Sequence, residues 1–227
     1  MQQSGDDVTA DRGVRTPAQI RTLYDRLARV YDIVAKPYGW FGSRRLLNRA
    51  IAELRLRPGD TVVDLGTGTG RNLPALLAGV GPTGQVIGVD VSPKMLQQAR
   101  TKLDAMNGHN VELVEADIST YVIPEGTDAV LSTFVMEMPP NYDAIIEGLT
   151  RRARPGARIA LSGLRHPDRW PGWVVWLGSA LSRPFGVSDA YRSHRPWESV
   201  NARTTDGVYD EAMRGAVYLA AGTVPAR

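Results

Sequence analysis

Hydrophobic positions along the chain change from one period to another, and this alternation predicts the architecture. Short runs of apolar and β-branched residues predict strands, and the first of them, which runs up to Asp64, has the pattern of a strand buried on both faces. Between these runs, apolar residues recur three and four positions apart, as on the inner face of a helix. The predicted strands lie at about 61–64, 85–90, 111–115, 128–133 and 158–163, and the predicted helices at about 73–78, at 92–106 with Met95, Leu96, Ala99, Leu103 and Met106 facing inward, and around Ile145, Ile146 and Leu149.

Strands that alternate with helices predict βαβ units joined into a parallel sheet. Because such crossovers are right-handed, the favoured architecture is an open, doubly wound, Rossmann-like sheet of the α/β class. Two further strands are predicted at 207–213 and 216–221, joined at Arg214 and Gly215. Their short connection requires them to be antiparallel to each other. The sequence therefore predicts a seven-stranded, mostly parallel sheet with an antiparallel strand near the C-terminal end.

Two helices are predicted before the first strand. The first begins at Thr16, a suitable cap followed by a proline, and must end before Pro37. The second is amphipathic and runs from about Ser43 to Leu54. The stretch before both helices is polar and without period. The expected organisation is a disordered tail (1–15) and a single domain (16–227) that opens with a helical cap (16–57).

Composition narrows the classes of protein that remain. The chain has 43% hydrophobic and 22% charged residues, as a folded domain does, and it has no cysteine. Disulfides, thiolate metal sites and thiol nucleophiles are thereby excluded, and the absence suits a reducing cytoplasm. The first residues have no basic region followed by an apolar core, and no apolar run approaches the roughly 20 residues that span a bilayer. We expect a soluble, cytoplasmic protein.

Positive charge is concentrated in the N-terminal region. Residues 12–57 contain ten arginines and one lysine against three acids, Asp25, Asp32 and Glu53, although the net charge of the whole chain is only +3. Such a surplus either forms a solvated surface or attracts an anionic partner such as a membrane. A surplus of positive charge does not by itself provide recognition of nucleic-acid bases, so we do not expect a nucleic-acid partner. Peripheral contact with a membrane stays open as the alternative to a solvated surface.

A glycine-rich turn follows the first strand and carries the main chemical signal. Gly66, Gly68 and Gly70 remove side chains where the backbone must turn and a ligand can come close. A strand, a glycine turn and a helix entry together bind nucleotides, because free backbone amides point at the ligand. The turn departs from the dehydrogenase pattern, since Arg71 stands where the third glycine would fall. It also lacks the lysine of a phosphate-binding P-loop.

Acidic residues follow each of the first three strands. Asp64 ends the first strand and is placed to face a cationic or ammonium group. Asp90, at the tip of the second strand, is suited to accept both hydroxyls of a ribose. Asp117, after the third strand, can face the exocyclic amine of an adenine. Three carboxylates at neighbouring strand ends therefore predict an adenosine-type ligand with a positive charge.

These motifs carry a resemblance to a known family. The runs V-V-D-L-G-T-G-T-G, V-I-G-V-D-V-S and V-E-A-D-I, in that order, resemble the first three motifs of class I S-adenosylmethionine-dependent methyltransferases. The stretch from Tyr24 to Asp32 also resembles the YDxxAxxYD opening of the methyltransferases of quinone biosynthesis and of bacterial phosphatidylethanolamine. The resemblance covers nearly the whole chain, from about Arg15 to Gly222. It implies an enzyme with S-adenosylmethionine as cofactor.

The family also implies roles for particular residues. The glycine turn would approach the methionine part of the cofactor, with Asp64 at its amino group and Asp90 at its ribose. Two tyrosines of the first helix could close over the site, although their spacing also fits an ordinary core stripe. Val91 and Met95 would lie beside the adenine, and Asp117 and Ile118 would lie at its edge. The full set of cofactor-binding residues implied by the resemblance is Asp64, Gly66, Thr67, Gly68, Gly70, Asp90, Val91, Met95, Asp117, Ile118, Tyr24 and Tyr31.

The methyl acceptor is less well specified by the sequence. Transfer from a sulfonium requires positioning and a dry site, so a general base is optional. His166, after the fifth strand, and Glu137, after the fourth, are the candidates for such a base. Met138-Pro139-Pro140-Asn141-Tyr142 lacks the leading polar residue of the enzymes that methylate amino groups of bases or glutamine. Ser132-Thr133-Phe134-Val135 lacks the carboxylates of metal-dependent catechol enzymes.

A small hydrophobic or amphiphilic molecule, lipid-like or aromatic, remains as the expected acceptor. The segment 164–203 holds four tryptophans and lies where this fold builds its substrate lid, and tryptophan suits such ligands. A short apolar helix is predicted within it, from Trp173 to Leu181. The tryptophans could instead pack a cap onto the sheet. Two other functions stay open: a regulatory protein that binds the cofactor without turnover, and a nicotinamide-dependent oxidoreductase.

Overall fold

The computed structural model of the chain describes residues 18–26, 28, 44–106, 108–167, 170 and 193–226. Seven strands within these residues form one sheet in the order β3-β2-β1-β4-β5-β7-β6. Their bounds are β1 Thr61–Leu65, β2 Gln85–Asp90, β3 Val111–Glu115, β4 Ala129–Thr133, β5 Arg158–Leu164, β6 Thr205–Ala212 and β7 Val217–Thr223.

The sheet is parallel except for one strand. Strand β1 pairs with both β2 and β4 in parallel, and the parallel pairing continues from β2 to β3 and from β4 to β5. Strand β7 is antiparallel to both of its neighbours, β5 and β6. This confirms the predicted doubly wound α/β sheet. The strand order reverses between β1 and β4, and ligands of such sheets bind outside the carboxyl ends of the strands at that point.

Helices cover both faces of the sheet. The first, α1, occupies residues 18–26, and the others are α2 Arg44–Glu53, α3 Leu73–Val80, α4 Pro93–Met106, α5 Tyr142–Arg152 and α6 Pro196–Arg203. Neighbouring residues of a strand point to opposite faces, so Val62 joins the core under α2, α3 and α4 while Val63 joins the core under α5 and α6. Both cores consist of residues that are almost completely buried.

The structure differs from the sequence-based expectations in two local features. Met106 was expected on the inner face of α4, but it is the last residue of the helix and 43% of it is exposed. Helix α6 was not predicted at all, although it begins with Pro196 at its first turn and buries Trp197 and Val200. The start of the first helix at Thr16, the tail 1–15 and the helix from Trp173 to Leu181 lie outside the described residues. Among the described helices, none is long and apolar enough to cross a membrane.

Candidate active site

The three glycines of the turn have different neighbours. All have positive φ angles, 74° at Gly66, 55° at Gly68 and 76° at Gly70, where a side chain is strained. A Cβ on Gly66 would lie 2.2 Å from the Val135 side chain, and one on Gly70 would lie 2.8 Å from Leu73 and 3.1 Å from the backbone of α4. A Cβ on Gly68 would meet no protein atom within 4 Å. Gly66 and Gly70 therefore permit packing of the chain, and Gly68 borders open space.

Asp64 is completely buried beside this turn. Its carboxylate accepts a hydrogen bond from the Thr67 hydroxyl (2.9 Å) and a longer one from the Asn72 amide (3.4 Å). The same amide donates to the Thr133 hydroxyl (3.1 Å) at the end of β4. Burial raises the pKa of the Asp64 carboxyl to about 6, although the hydrogen bonds from Thr67 and Asn72 lower this pKa. A cation placed next to Asp64 would favour its ionised form.

Asp90 connects the end of β2 to the glycine turn. One of its oxygens accepts from the Gly68 amide (2.8 Å) and the other from the Ser92 amide (2.9 Å). Burial raises the pKa of the Asp90 carboxyl, and these amides oppose the rise. A carboxylate offers about four lone-pair positions. Two backbone amides therefore leave acceptor positions that hydroxyl groups can use.

The residues implied at the adenine lie at the ends of β2 and β3. Val91 and Ile118 are half-buried, whereas Met95 is only 1% exposed and belongs to the buried residues of α4. Asp117 is half-buried, and its side chain accepts a hydrogen bond from the Ser119 amide (2.8 Å). The structure thus brings these four residues to the edge of the sheet that also holds Asp64 and Asp90.

Helix α1 lies across the same edge and contacts the ends of three strands. Arg21 forms an ion pair with Glu115 of β3 (3.0 Å). Asp25 accepts a hydrogen bond from the Ser92 hydroxyl just after β2 (2.6 Å). The Tyr24 hydroxyl donates to the sulfur of Met138, beyond β4 (3.6 Å). Tyr31 lies outside the described residues.

The segment after β4, residues 134–138, joins the glycine turn to the rest of the site. Phe134 has a φ of 59°, which is unusual for a residue with a side chain and is common at functional sites. Its amide donates to the carbonyl of Ser162 in β5 (2.7 Å). The bend at Phe134 places Val135 against Gly66. Sequence reasoning missed Phe134, since no motif marks it.

The two candidate bases differ in their surroundings. Glu137 is 5% exposed, and one of its carboxylate oxygens accepts a hydrogen bond from the Leu164 amide at the end of β5 (2.9 Å). Its other oxygen, like the Tyr218 hydroxyl, is buried without a hydrogen-bond partner. Burial raises the pKa of the Glu137 carboxyl to about 7, although the Leu164 amide lowers it. His166 is half-buried, two residues beyond β5.

A second histidine, which sequence reasoning also missed, lies beside Glu137. Nδ1 of His194 is 2.8 Å from the Glu137 carbonyl oxygen, and its ring packs on Tyr142 with centroids 5.1 Å apart. Asn72 and Thr133 were likewise not predicted. Asn72 could have been found from its place at the start of α3, beside the glycine turn. No local pattern marks His194, because its contact is made 57 residues away along the chain.

The strand order and the carboxylates at the ends of β1 and β2 agree with the resemblance to class I S-adenosylmethionine-dependent methyltransferases. Residues 62–156 match the family described as "Methyltransferase domain". This match supports the methyltransferase class and the S-adenosylmethionine cofactor that the sequence motifs predict.

Comparison with known proteins supports this assignment. The chain is 36% identical to an arsenite methyltransferase of Halobacterium salinarum, over 51% of this chain and 30% of that protein. It is 32% identical to a ubiquinone/menaquinone biosynthesis C-methyltransferase of Pseudomonas putida, over 63% of this chain and 59% of that protein. The chain thus covers less than two thirds of either relative. The second similarity confirms the resemblance to quinone-biosynthesis methyltransferases.

A solved structure agrees on the fold. A SAM-dependent methyltransferase from Aquifex aeolicus matches with a TM-score of 0.58 at 23% identity, covering 92% of this chain and 99% of that one. At this identity the similarity bears on the fold alone.

Proposed function

We propose that this chain transfers a methyl group from S-adenosylmethionine to a hydrophobic or amphiphilic small molecule. The observation that carries the proposal is the open space at Gly68, which lies within hydrogen-bonding reach of the Asp90 carboxylate. Asp64 lies buried on the same turn. Open space bordered by a backbone turn and two carboxylates fits a cationic adenosine cofactor better than an anionic phosphate.

The residues of the site fit this cofactor one by one. Asp90, held by two amides, would accept the ribose hydroxyls, and Asp64 would face the methionine amino group. Val91 is half-buried at the end of β2 and would lie beside the adenine, with the half-buried Asp117 and Ile118 at its edge. Met95 would support the adenine from the core of α4. Gly66, Thr67, Gly68 and Gly70 would border the methionine part, and Tyr24 would cover it from α1.

The bound cofactor supplies an electrophilic methyl group, and the chain itself supplies position and a dry environment. Helix α1 contacts residues at the ends of β2 and β3 and beyond β4, and in this position it would limit the access of water to that edge. We propose that residues 164–203 help to cover the acceptor. Their last part, α6, packs on α5 and β7 and gives this cover a fixed base.

For the acceptor, we propose a hydroquinone-type aromatic lipid. The similarity to a quinone-biosynthesis C-methyltransferase supports this class. The similarity to an arsenite methyltransferase points elsewhere, but arsenic is a soft centre that thiolates bind, and this chain contains no cysteine. A hydrophobic acceptor of this kind dissolves in membranes, which is consistent with peripheral membrane contact by the basic N-terminal region. We propose no nucleic-acid partner.

Two measurements test the proposal. Calorimetry should show that S-adenosylmethionine binds the wild-type chain and that Asp90→Ala abolishes binding, while unchanged affinity would contradict the proposed cofactor site. Mass spectrometry should show the gain of one methyl group on a 2-prenyl-1,4-naphthohydroquinone incubated with the chain and cofactor. Phosphatidylethanolamine vesicles and arsenite with glutathione serve as competing acceptors. Cofactor binding without methylation of any acceptor would favour a regulatory protein, and binding of NADH instead would favour an oxidoreductase.

A further inference from the structure

We propose that a basic patch formed by Arg44, Arg45 and Arg214 docks the chain on an anionic lipid bilayer. This inference rests on the proposed function in that a lipid-like acceptor dissolves in such a bilayer. The positive charge of the patch and its place in the fold do not depend on the acceptor.

The turn between β6 and β7 lies at the carboxyl edge of the sheet, where the candidate active site is also built. Ala212 at the end of β6 pairs with Val217 at the start of β7, and Val217 pairs with Leu164 at the end of β5. Arg214 is an exposed residue in the middle of this turn. It therefore lies at the edge of the sheet that holds the carboxyl ends of the parallel strands.

Helix α2 runs from this carboxyl edge towards the opposite edge. Glu53, at the end of the helix, is paired with Arg158 at the start of β5. Arg49, one turn earlier, forms an ion pair with Asp210 in the second half of β6. Because these two contacts fix the direction of the helix along the strands, its first residues are the ones closest to the carboxyl edge.

Arg45 is level with the end of β6. It precedes Arg49 by four residues, so it lies on the same side of the helix and about 6 Å nearer the carboxyl edge. The two strand residues from Asp210 to Ala212 advance by about the same distance. The start of α2 and the turn that holds Arg214 therefore meet at one edge of the molecule, and the chain there carries the basic patch.

The charge of the basic patch is not neutralised by the protein. All three arginines are exposed, and none of them forms an ion pair in the part of the chain that the structure describes. The acids of β6 that precede the turn are already paired, Asp210 with Arg49 and Glu211 with Arg165. Unpaired guanidinium groups attract anionic surfaces and bind phosphate groups in a bidentate manner.

The turn that carries Arg214 has further features of a binding surface. Met213 and Arg214 have φ angles of 54° and 55°, which are uncommon for residues with side chains and are found most often at functional sites. The indole of the half-buried Trp170 donates a hydrogen bond to the Met213 carbonyl (3.0 Å). Tryptophan suits the boundary between lipid and water. A cation next to such a ring favours a bilayer over a nucleic acid as the anionic partner.

Docking through the basic patch would hold the ends of β5 and β6 against the bilayer. An acceptor dissolved in the lipid would then enter at the carboxyl edge of the sheet without crossing water. The same docking would bring the soluble cofactor and a membrane-bound acceptor to one place, which neither could reach alone.

Sedimentation with lipid vesicles tests this surface without any turnover. The wild-type chain should bind vesicles of phosphatidylglycerol and phosphatidylcholine in equal parts, and high salt should weaken the binding because added ions screen the attraction. A basic residue at an anionic surface contributes about fivefold to binding, so the double variant Arg45→Gln with Arg214→Gln should bind about twentyfold more weakly. Its Tm and its affinity for S-adenosylmethionine should equal those of the wild-type chain.

Arg57→Gln with Arg100→Gln is the matched control. Both arginines are exposed and form no ion pair among the described residues. Arg57 lies just before β1 begins, and Arg100 lies on α4, which packs on β2 and β3. This control loses the same charge and should bind the vesicles as the wild-type chain does.

Three results would overturn the proposal. An equal loss of binding in the two double variants would mean that net charge, not the basic patch, sets the affinity. Equal binding to vesicles of pure phosphatidylcholine would mean that the lipid charge is not recognised. Tighter binding to a short duplex DNA of random sequence would mean that the anionic partner is a nucleic acid.

A second measurement separates this inference from the proposed function. Methylation of 2-prenyl-1,4-naphthohydroquinone is measured in the anionic vesicles and in neutral detergent micelles. The variant Arg45→Gln with Arg214→Gln should lose kcat/KM in vesicles only, and an equal loss in micelles would contradict a docking role. If no acceptor is methylated while the vesicle binding follows the expected pattern, the proposed function fails and the basic patch stands.

Discussion

At the scale of single residues, a substitution at Gly68 would distinguish an effect on cofactor binding from an effect on stability. Replacing Gly68 by alanine introduces only the strain of a positive φ, since the new methyl group meets no protein atom. We expect a loss of stability of about 1–2 kcal/mol and a much larger loss of S-adenosylmethionine affinity, at least tenfold, because the methyl group would occupy space left for the ligand. Urea unfolding and calorimetry measure the two effects.

Gly126 provides the matched control for this substitution. Its φ is 77°, a Cβ there also meets nothing within 4 Å, and it lies on the connection before β4, outside the glycine turn. Gly126→Ala should therefore lose similar stability and keep full cofactor affinity. If the two variants bind the cofactor equally well, the space beside Gly68 is not the cofactor site.

A second residue-scale prediction concerns the pH dependence of stability at Glu137. The ordinary pKa of 4.5 is raised to about 7 by burial. Between pH 4.5 and about 7, the Glu137 carboxyl therefore keeps its proton in the folded chain and has lost it in the unfolded chain. This group stabilises the fold below pH 4.5 and its contribution disappears as the pH rises through about 7, a loss of about 3 kcal/mol.

Glu137→Gln removes the titrating group and keeps an oxygen for the Leu164 amide. Between pH 4.5 and 8 the free energy of unfolding should fall by about 3 kcal/mol less in the variant than in the wild-type chain. Urea unfolding at a series of pH values measures this difference in slope. Parallel curves for the two proteins would show that Glu137 titrates normally in the folded state.

The candidate site was predicted where its residues are close in sequence. Asp64, Gly68 and Asp90 follow strand ends, and motif spacing is enough to place them at one edge of a sheet. His194 and Phe134 could not be found in this way. The first depends on a contact with Glu137 across 57 residues, and the second on a backbone bend that no residue type specifies.

At the scale of elements, helix α1 is held to the strand ends by polar contacts that can be removed singly. The bond from Ser92 to Asp25 is charge-assisted, and such bonds contribute about 1.5–3 kcal/mol. Asp25→Ala should therefore increase hydrogen exchange of residues 18–26 by about tenfold or more. Exchange in β1 and α3 should not change. Mass spectrometry of exchanged peptides provides the measurement.

Asp104→Ala is a suitable control for Asp25→Ala. Asp104 is an exposed acid on α4, so its removal changes the net charge equally without touching α1. If α1 exchanges at the same rate in the wild-type chain and in both variants, the contact with Ser92 does not hold the helix. S-adenosylmethionine should slow the exchange of α1 in the wild-type chain, because the cofactor would lie beneath it.

Helix α6 shows why some elements could not be predicted from the sequence. It has only eight residues, and Trp197 and Val200, its large inward side chains, are too few to establish a helical period. Its proline start was a valid signal. However, the aromatic residues before it predicted a substrate lid, and Trp197 was assigned to that lid as well. In the structure Trp197 instead packs on Tyr218 of β7, with ring centroids 4.9 Å apart.

At the scale of the whole molecule, the sheet was the most predictable feature. Strands β1, β2, β4 and β5 are buried on both faces, and that burial leaves continuous apolar runs that few other structures produce, whereas the edge strand β3 is only partly buried. The handedness of the crossovers then restricts the topology. What the pattern did not specify is how the edges of the layers are joined, since those contacts are made by polar residues far apart in the chain.

Arg158 makes one such junction and leads to the last prediction. Its side chain is 6% exposed at the start of β5. The guanidinium donates to the carbonyl (2.7 Å) and the carboxylate (3.1 Å) of Glu53 at the end of α2, and to the Thr223 hydroxyl (2.8 Å) at the end of β7. It therefore connects a helix of one layer to two strands of the sheet and satisfies a carbonyl at a helix end.

Arg158→Ala should destabilise the fold by about 3 kcal/mol, because it removes the buried hydrogen bonds of this guanidinium and leaves the partly buried Glu53 carboxylate with only its longer ion pairs, to Arg49 (3.7 Å) and Arg55 (3.9 Å). Arg151→Ala provides the comparison. That arginine is 69% exposed and pairs with Glu147 one turn earlier in α5, so its removal should cost less than about 1 kcal/mol. Urea unfolding measures both values, and S-adenosylmethionine affinity should be unchanged in either variant, since Arg158 lies at the amino end of β5, opposite the cofactor. Equal destabilisation by the two substitutions would mean that the junction at Arg158 does not join the layers.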